Sequence, residues 1–300
     1  MEPVTSGEPG KPGLRLDEGF FAAKDNLRLY WRTVRPSEAG AVRGHLALVH
    51  GYGDHCARYR ELMEHLGRRG IAVHAFDYRG HGQSDGRRAH VDRFRDYTDD
   101  LEVLLGHARQ DAEGQPLFVL GHSLGALIVL RWALEARRDG IAGLVLSSPF
   151  LTLAFEPPRF KVLAARLAER VLPWMPFGNE LKVEQLTHDR AIQEATRADP
   201  LYLHTTTPRW FFETTAAQKE AKARAVELVL PCLILHGSAD PIAAPEASQR
   251  LWSLASSREK TLKTYPGLLH ELFNEVGREQ VMADLDAWLD ARLVVALPSP

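Results

Sequence analysis

Apolar residues in this chain follow two periods that take turns. The run Leu-Ala-Leu-Val at 46–49 and the apolar stretches at 71–76, 116–120, 141–147 and 231–236 are continuous rather than alternating, the pattern of strands covered on both faces. Between them Phe94, Tyr97, Leu101, Leu104 and Leu105 recur at helical spacing within 92–111, as do Val281, Leu285, Trp288 and Leu289 within 277–294. Helices are also predicted over 59–69, directly after residue 123, over 209–229 and over 245–255, and a further strand over 260–265. Near the N-terminus, 20–23 and 27–34 flank Lys24-Asp25-Asn26, and Leu27, Leu29 and Trp31 alternate, which suits an antiparallel hairpin at a sheet edge. Strands alternating with helices predict an α/β fold: a mostly parallel eight-stranded sheet with right-handed crossovers and helices on both faces.

The alternation breaks between 151 and 208, where helical pieces are cut by Pro157-Pro158, Pro173 and Asp199-Pro200. The expected organisation is a core made of 16–150 and 209–295, with 151–208 inserted as a helical cap. Residues 1–15, rich in Gly, Pro, Ser and Glu, are expected to be a disordered tail, and 297–300 likewise. In the cap, Phe160, Leu163, Leu167 and Val171 share one helical stripe while Lys161, Arg166 and Arg170 lie elsewhere, and Trp174, Met175 and Phe177 follow. That stripe either packs on the core or makes transient contact with lipid surfaces; the pattern leaves both open.

The stretch with chemical content is Gly121-His122-Ser123-Leu124-Gly125, set between a strand and a helix. Such an elbow puts a serine at the tip of a turn so tight that side chains two residues away are excluded, and the following helix aims free N–H groups at the same point. Serine is a poor nucleophile and needs a base, which in turn needs a carboxylate. Chain order Ser, Asp, His selects Asp240, in the loop after strand 231–236, and His270, which follows the last strand. The oxyanion donors expected are the N–H of Leu124, next to the nucleophile, and that of Tyr52, in the loop after 45–50. His122 is expected to shape the pocket, and His236 to be structural. His74, Asp77 and His81 straddle a strand end without metal-site spacing, so no metal is expected; the chemistry needs no cofactor. Gly80 to Gly86 lacks the Gly-Lys-Ser of a phosphate loop.

Composition removes other classes. With 37 Lys and Arg against 39 Asp and Glu, net charge is −2, which gives no electrostatic case for nucleic acid. The longest apolar runs fall short of a bilayer span, and the N-terminal region has no signal-like hydrophobic segment. Cys56 and Cys232 lie in different elements and read as free thiols. A cytoplasmic protein, peripheral at membranes if the cap meets lipid, is the expectation.

Five ordered motifs, His50-Gly-Tyr-Gly-Asp-His55 with Arg58-Tyr59, Phe76 to Gly86, Gly121 to Gly125, Gly237-Ser-Ala-Asp240 and Tyr265-Pro-Gly with His270-Glu271 and Asn274-Glu275, resemble the monoacylglycerol lipase and lysophospholipase-like branch of the α/β-hydrolases over about 18–293. The resemblance implies the α/β-hydrolase fold and a serine carboxylesterase acting on a small lipid ester, most directly a monoacylglycerol. Ser123, Asp240 and His270 match the branch's triad, and Tyr52 and Leu124 its oxyanion donors. Asp54 and Arg58 match positions at the polar end of its pocket, although Asp54 stands where many relatives carry Glu. Lysophospholipase, thioesterase or acyltransferase activity on the same residues, or a non-catalytic scaffold, are the alternatives.

Overall fold

The structure, a computed structural model, describes residues 2–3, 11–38, 40–135, 138–156, 158–179 and 181–293. Residues 4–10 of the expected tail, and the 297–300 terminus, lie outside the described residues.

The first elements correct the expectation of a tail reaching residue 15. Strand β1 (Glu2–Pro3) pairs with β2 (Leu14–Ala22), which pairs antiparallel with β3 (Arg28–Pro36) from Leu14↔Pro36 to Ala22↔Arg28. An edge hairpin needs only one apolar face, so its outer half carries few apolar residues, yet Leu14 is buried.

Strand β4 (Gly44–Val49) leads to helix α1 (Arg60–Arg68), β5 (Ile71–Phe76), α2 (Phe94–Ala112), β6 (Leu117–His122), α3 (Leu124–Glu135) and β7 (Ile141–Ser147). The segment that follows leaves the main sheet: α4 (Arg159–Val171), a two-residue strand β8 (Phe177–Gly178), α5 (Arg190–Ala198) and β9 (Thr205–Thr206), which pairs with β8. The chain then returns through α6 (Pro208–Ala223), β10 (Cys232–Gly237), α7 (Pro245–Leu254), β11 (Lys260–Tyr265) and α8 (Arg278–Leu293). Helix α6 is shorter than its expected 209–229 because Arg224 ends it and Ala225–Glu227 form a 3-10 turn.

The sheet order is β1-β2-β3-β5-β4-β6-β7-β10-β11, parallel from β5 to β11. It is the expected eight-stranded, mostly parallel sheet with the short β1 added at one edge. Side chains alternate between two cores. Ala47, Val49 and Phe76 face α2, α3 and α6, whereas Leu46, Leu48 and Val73 face α1 and α8. Continuous apolar strands were therefore needed, since neither face of the central sheet meets water. From β4 the chain goes to β5 on one side and then crosses back to β6 on the other, so β4 marks the switch point at whose C-terminal edge a crevice opens. Among the described residues no helix is long and apolar enough to cross a membrane.

Candidate active site

Ser123 sits at that edge, between β6 and α3, with φ of 53°, a left-handed conformation that costs a non-glycine residue energy and persists only where its surroundings enforce it. The enforcement is steric. A Cβ on Gly121 would lie 2.4 Å from the Gly125 carbonyl oxygen, and one on Gly125 would lie 2.2 Å from that of Val49. Gly121 is thus dictated by the tightness of the elbow itself, and Gly125 by its close approach to the end of β4.

The loops after β10 and β11 bring the partners. Ser123 Oγ–H donates to His270 Nε2 at 2.8 Å, and His270 Nδ1–H donates to Asp240 Oδ2 at 2.7 Å; a carboxylate can only accept, which fixes the tautomer. All three groups are buried. Burial alone would push the His270 imidazole down, but the Asp240 carboxylate reverses this and its pKa is raised. Burial in turn would raise the Asp240 carboxyl; His270 and His236 outweigh it and hold it well below the usual carboxylate range.

Asp240 is fully occupied. Its Oδ1 accepts from the backbone N–H groups of Ile242 and Ala243 at 2.8 and 3.0 Å. Its Oδ2 accepts a second imidazole N–H, from His236 Nε2 at 3.1 Å. That nitrogen also faces the Ala243 carbonyl, while His236 Nδ1 accepts from Ser248 Oγ at 2.6 Å, so the ring is held as an Nε2–H donor. His236 is therefore structural, as expected, but its structural task is to hold Asp240, which the sequence did not indicate. On the other side, Ser148 Oγ donates to the His270 carbonyl at 2.8 Å and anchors the base loop to the end of β7.

Among the described residues neither the Tyr52 nor the Leu124 N–H has a protein acceptor. Leu124 opens α3, where the first N–H groups are orphans by construction. The Tyr52 loop is pinned from behind: the Gly51 carbonyl accepts from Tyr78 Oη at 2.7 Å and faces His50 Nδ1 at 2.7 Å. His122 lines the same space, with Nδ1 3.3 Å from Ser147 Oγ, and burial together with the neighbouring His270 pushes its pKa down to about 3, keeping it neutral.

A cavity of about 680 Å³ opens above these groups, a size suited to a drug-sized or lipid ligand. Much of its wall is apolar, including Leu153, Val162, Met175, Phe211 and Ile242, and α4 closes one side. Asp54 and Glu271 supply polar lining near Ser123. Arg58, the other position expected at the polar end, is not among the lining residues. Its guanidinium stands behind the wall, bonding Asp54 Oδ1 at 3.0 Å and both Glu271 oxygens at 3.0 and 2.9 Å, and reaching Thr196 of α5 at 2.7 Å. Glu271 has no sequence signal for this place beyond adjacency to His270.

His74, Asp77 and His81 do not form a cluster. Both Asp77 oxygens accept backbone N–H groups, from Cys56 at 2.7 Å and Gln83 at 2.8 Å. Cys56 and Cys232 are free and buried.

Residues 40–277 match the family Hydrolase_4, described as serine aminopeptidase, S33. The chain is 33% identical over 278 residues to a monoacylglycerol lipase of Mycolicibacterium smegmatis, covering 92% of this chain and 98% of that protein. The crystal structure of Paleococcus ferrophilus monoacylglycerol lipase superposes with a TM-score of 0.76 at 29% identity, covering 94% of this chain and all of that one. A soluble variant of monoglyceride lipase from Saccharomyces cerevisiae, in complex with a substrate analog, gives a TM-score of 0.81 at 26% identity, covering 91% and 94%. The strained serine elbow, the acid and base in the fold's chain order and this likeness along nearly the whole sequence agree: the chain belongs to the Hydrolase_4 family, among the monoacylglycerol lipase-like α/β-hydrolases.

Proposed function

We propose that this protein is a monoacylglycerol lipase, with Ser123, His270 and Asp240 as its catalytic triad. The observation that carries the reading is the hydrogen-bonded chain from Ser123 through His270 to Asp240 at the floor of a largely apolar cavity. Ser123 Oγ attacks the ester carbonyl as its proton passes to His270 Nε2. The negative charge on the former carbonyl oxygen is taken by the N–H groups of Tyr52 and Leu124. His270 then gives the proton to the departing glycerol oxygen, leaving an acyl-serine, and water activated by the same imidazole releases the fatty acid. The acyl chain lies along the apolar wall under α4, which with 151–208 forms a cap.

Asp54 and Glu271 mark the alcohol side. Two carboxylates share one guanidinium there, so the local charge is negative, which favours glycerol hydroxyls and opposes a phosphate-bearing headgroup. The cap's outer stripe favours contact with a lipid surface over packing on the core: Phe160 and Val171 are 71% and 72% exposed, and Leu163, Leu167, Trp174 and Met175 are exposed beside them.

Ser123→Ala should abolish hydrolysis of monoacylglycerols and of a p-nitrophenyl acyl ester, and labelling by a fluorophosphonate, while the fold stays intact. Retained turnover would exclude the triad assignment. A monoacylglycerol chain-length series run beside lysophosphatidylcholine, with and without added alcohol acceptor, tests the headgroup; faster release from the phospholipid, or transfer exceeding hydrolysis, would replace the lipase reading with that activity.

A further inference from the structure

At the far end of the sheet from the triad, on the face covered by α2, three side chains meet that the hydrolase chemistry does not use. His45 stands at the start of β4, His74 within β5 and Asp111 near the end of α2. The rings of His45 and His74 are nearly parallel, 9° apart, with centroids at 5.3 Å. Nδ1 of His45 is 3.0 Å from Nε2 of His74, and Oδ2 of Asp111 is 3.9 Å from the first and 3.6 Å from the second. The nearest point equidistant from these three atoms lies about 2.05 Å from each, the circumradius of a triangle with those sides, and the distance grows only slowly as an ion rises out of their plane. Bonds of zinc to imidazole nitrogen and carboxylate oxygen run about 2.0–2.2 Å. The three ligand atoms are already spaced for one ion.

Their outer atoms are tied down as metal ligands require. His45 Nε2 faces Gln115 Oε1 at 3.2 Å, and the amide cannot turn because its Nε2 donates to the Val42 carbonyl at 3.1 Å. His45 Nε2 must therefore be the N–H donor, which leaves Nδ1 as a lone pair facing inward. His74 Nδ1 faces Thr33 Oγ1 at 3.2 Å, a hydroxyl that donates or accepts with equal ease. Without an ion, His74 Nε2–H donates to His45 Nδ1. With one, the proton moves to Nδ1, Thr33 accepts it, and Nε2 becomes the second inward lone pair. Arg35 Nη1 lies 3.1 Å from both Asp111 oxygens, so an ion taking Oδ2 leaves it the Oδ1 contact, and the Asp111 side chain is 32% exposed, which leaves an entry path.

We propose that His45, His74 and Asp111 bind one divalent transition cation of the zinc class, water completing its coordination. Such an ion clamps β4, β5 and the end of α2 together and takes no part in ester hydrolysis.

The test uses the full chain stripped with chelator and dialysed, then titrated calorimetrically with Zn²⁺ and, separately, with Co²⁺ followed by its visible d–d bands. The expected result is one saturable site per chain with Kd on the order of micromolar or tighter, and a melting temperature that rises with Zn²⁺. Asp111→Asn, at a partly exposed position, should fold, weaken binding at least tenfold and lose most of the thermal shift; His45→Gln should abolish the site. Esterase rates with and without Zn²⁺ should agree within twofold. No saturable one-to-one binding by the wild-type chain, or affinity unchanged in both variants, would overturn the proposal; the latter would place the ion on other histidines.

Discussion

Asp240→Asn isolates what the acid does, because the structure fixes which way the new amide must face. The oxygen in the Oδ1 position accepts two backbone N–H groups at 2.8 and 3.0 Å. Turning an NH₂ toward them would strand two buried donors, at about 1–3 kcal/mol each. The carbonyl therefore stays there, and the NH₂ takes the Oδ2 position, 2.7 Å from His270 Nδ1 and 3.1 Å from His236 Nε2. A donor at that point forces a lone pair onto His270 Nδ1 and moves the ring proton to Nε2, against the Ser123 hydroxyl. The base is then in the wrong tautomer, and kcat should fall about 10⁴-fold, or about 5 kcal/mol of barrier. The assay is kcat and KM on a p-nitrophenyl ester, with circular dichroism to establish that the variant is folded. A folded Asp240→Asn enzyme within tenfold of the wild-type kcat would refute the tautomer argument.

Other outcomes follow from the same geometry. Since His270 must be neutral to accept the serine proton and its pKa is raised, the acid limb of kcat/KM should have its midpoint above the ordinary value of about 6.5; a midpoint below that value contradicts the Asp240 pairing. The stability linked to this shift is fully present below the unfolded pKa and lost as pH rises through the folded one, so the stability gap between wild type and His270→Gln should narrow with rising pH in chemical denaturation. Gly125→Ala should cost about 1–3 kcal/mol and at least a hundredfold in kcat/KM, because its Cβ meets the Val49 and His50 carbonyl oxygens at 2.2 and 2.4 Å; unaltered melting and rate would show that the elbow has room to spare. Replacing Phe160, Leu163, Leu167 and Val171 together by Ser should weaken binding to lipid vesicles more than tenfold, at about 1.5–3 kcal/mol of lost burial for each large side chain that enters the bilayer surface, while melting and short-ester hydrolysis stay near wild type; unchanged vesicle binding rules out the stripe as the contact.

The sheet was legible because its central strands are short and apolar on both faces, and Ser123, Asp240 and His270 because each follows a recognisable strand. Leu14 escaped notice since an edge strand buries one side only, and its partner Pro36 says nothing by itself. The place of Arg58 was illegible for a different reason. Its side chain is claimed by Glu271, far along the chain, and by Thr196 on α5, so no local pattern tells whether a guanidinium faces a ligand or braces the wall behind it. His236 likewise reads as the end of a strand until Asp240 folds back over it. The stripe on α4 had an ambiguous signature because a helix packed on a core and a helix lying on a lipid surface carry the same apolar spacing.

Helix α4 has no buried residue of its own, yet Val162 and Ala165 form part of the cavity wall. The cavity thus takes one side from a helix whose side chains are all at least partly exposed. A substitution at Val162 or Ala165 therefore alters the shape of that wall from a helix that contributes neither Ser123, His270 nor Asp240.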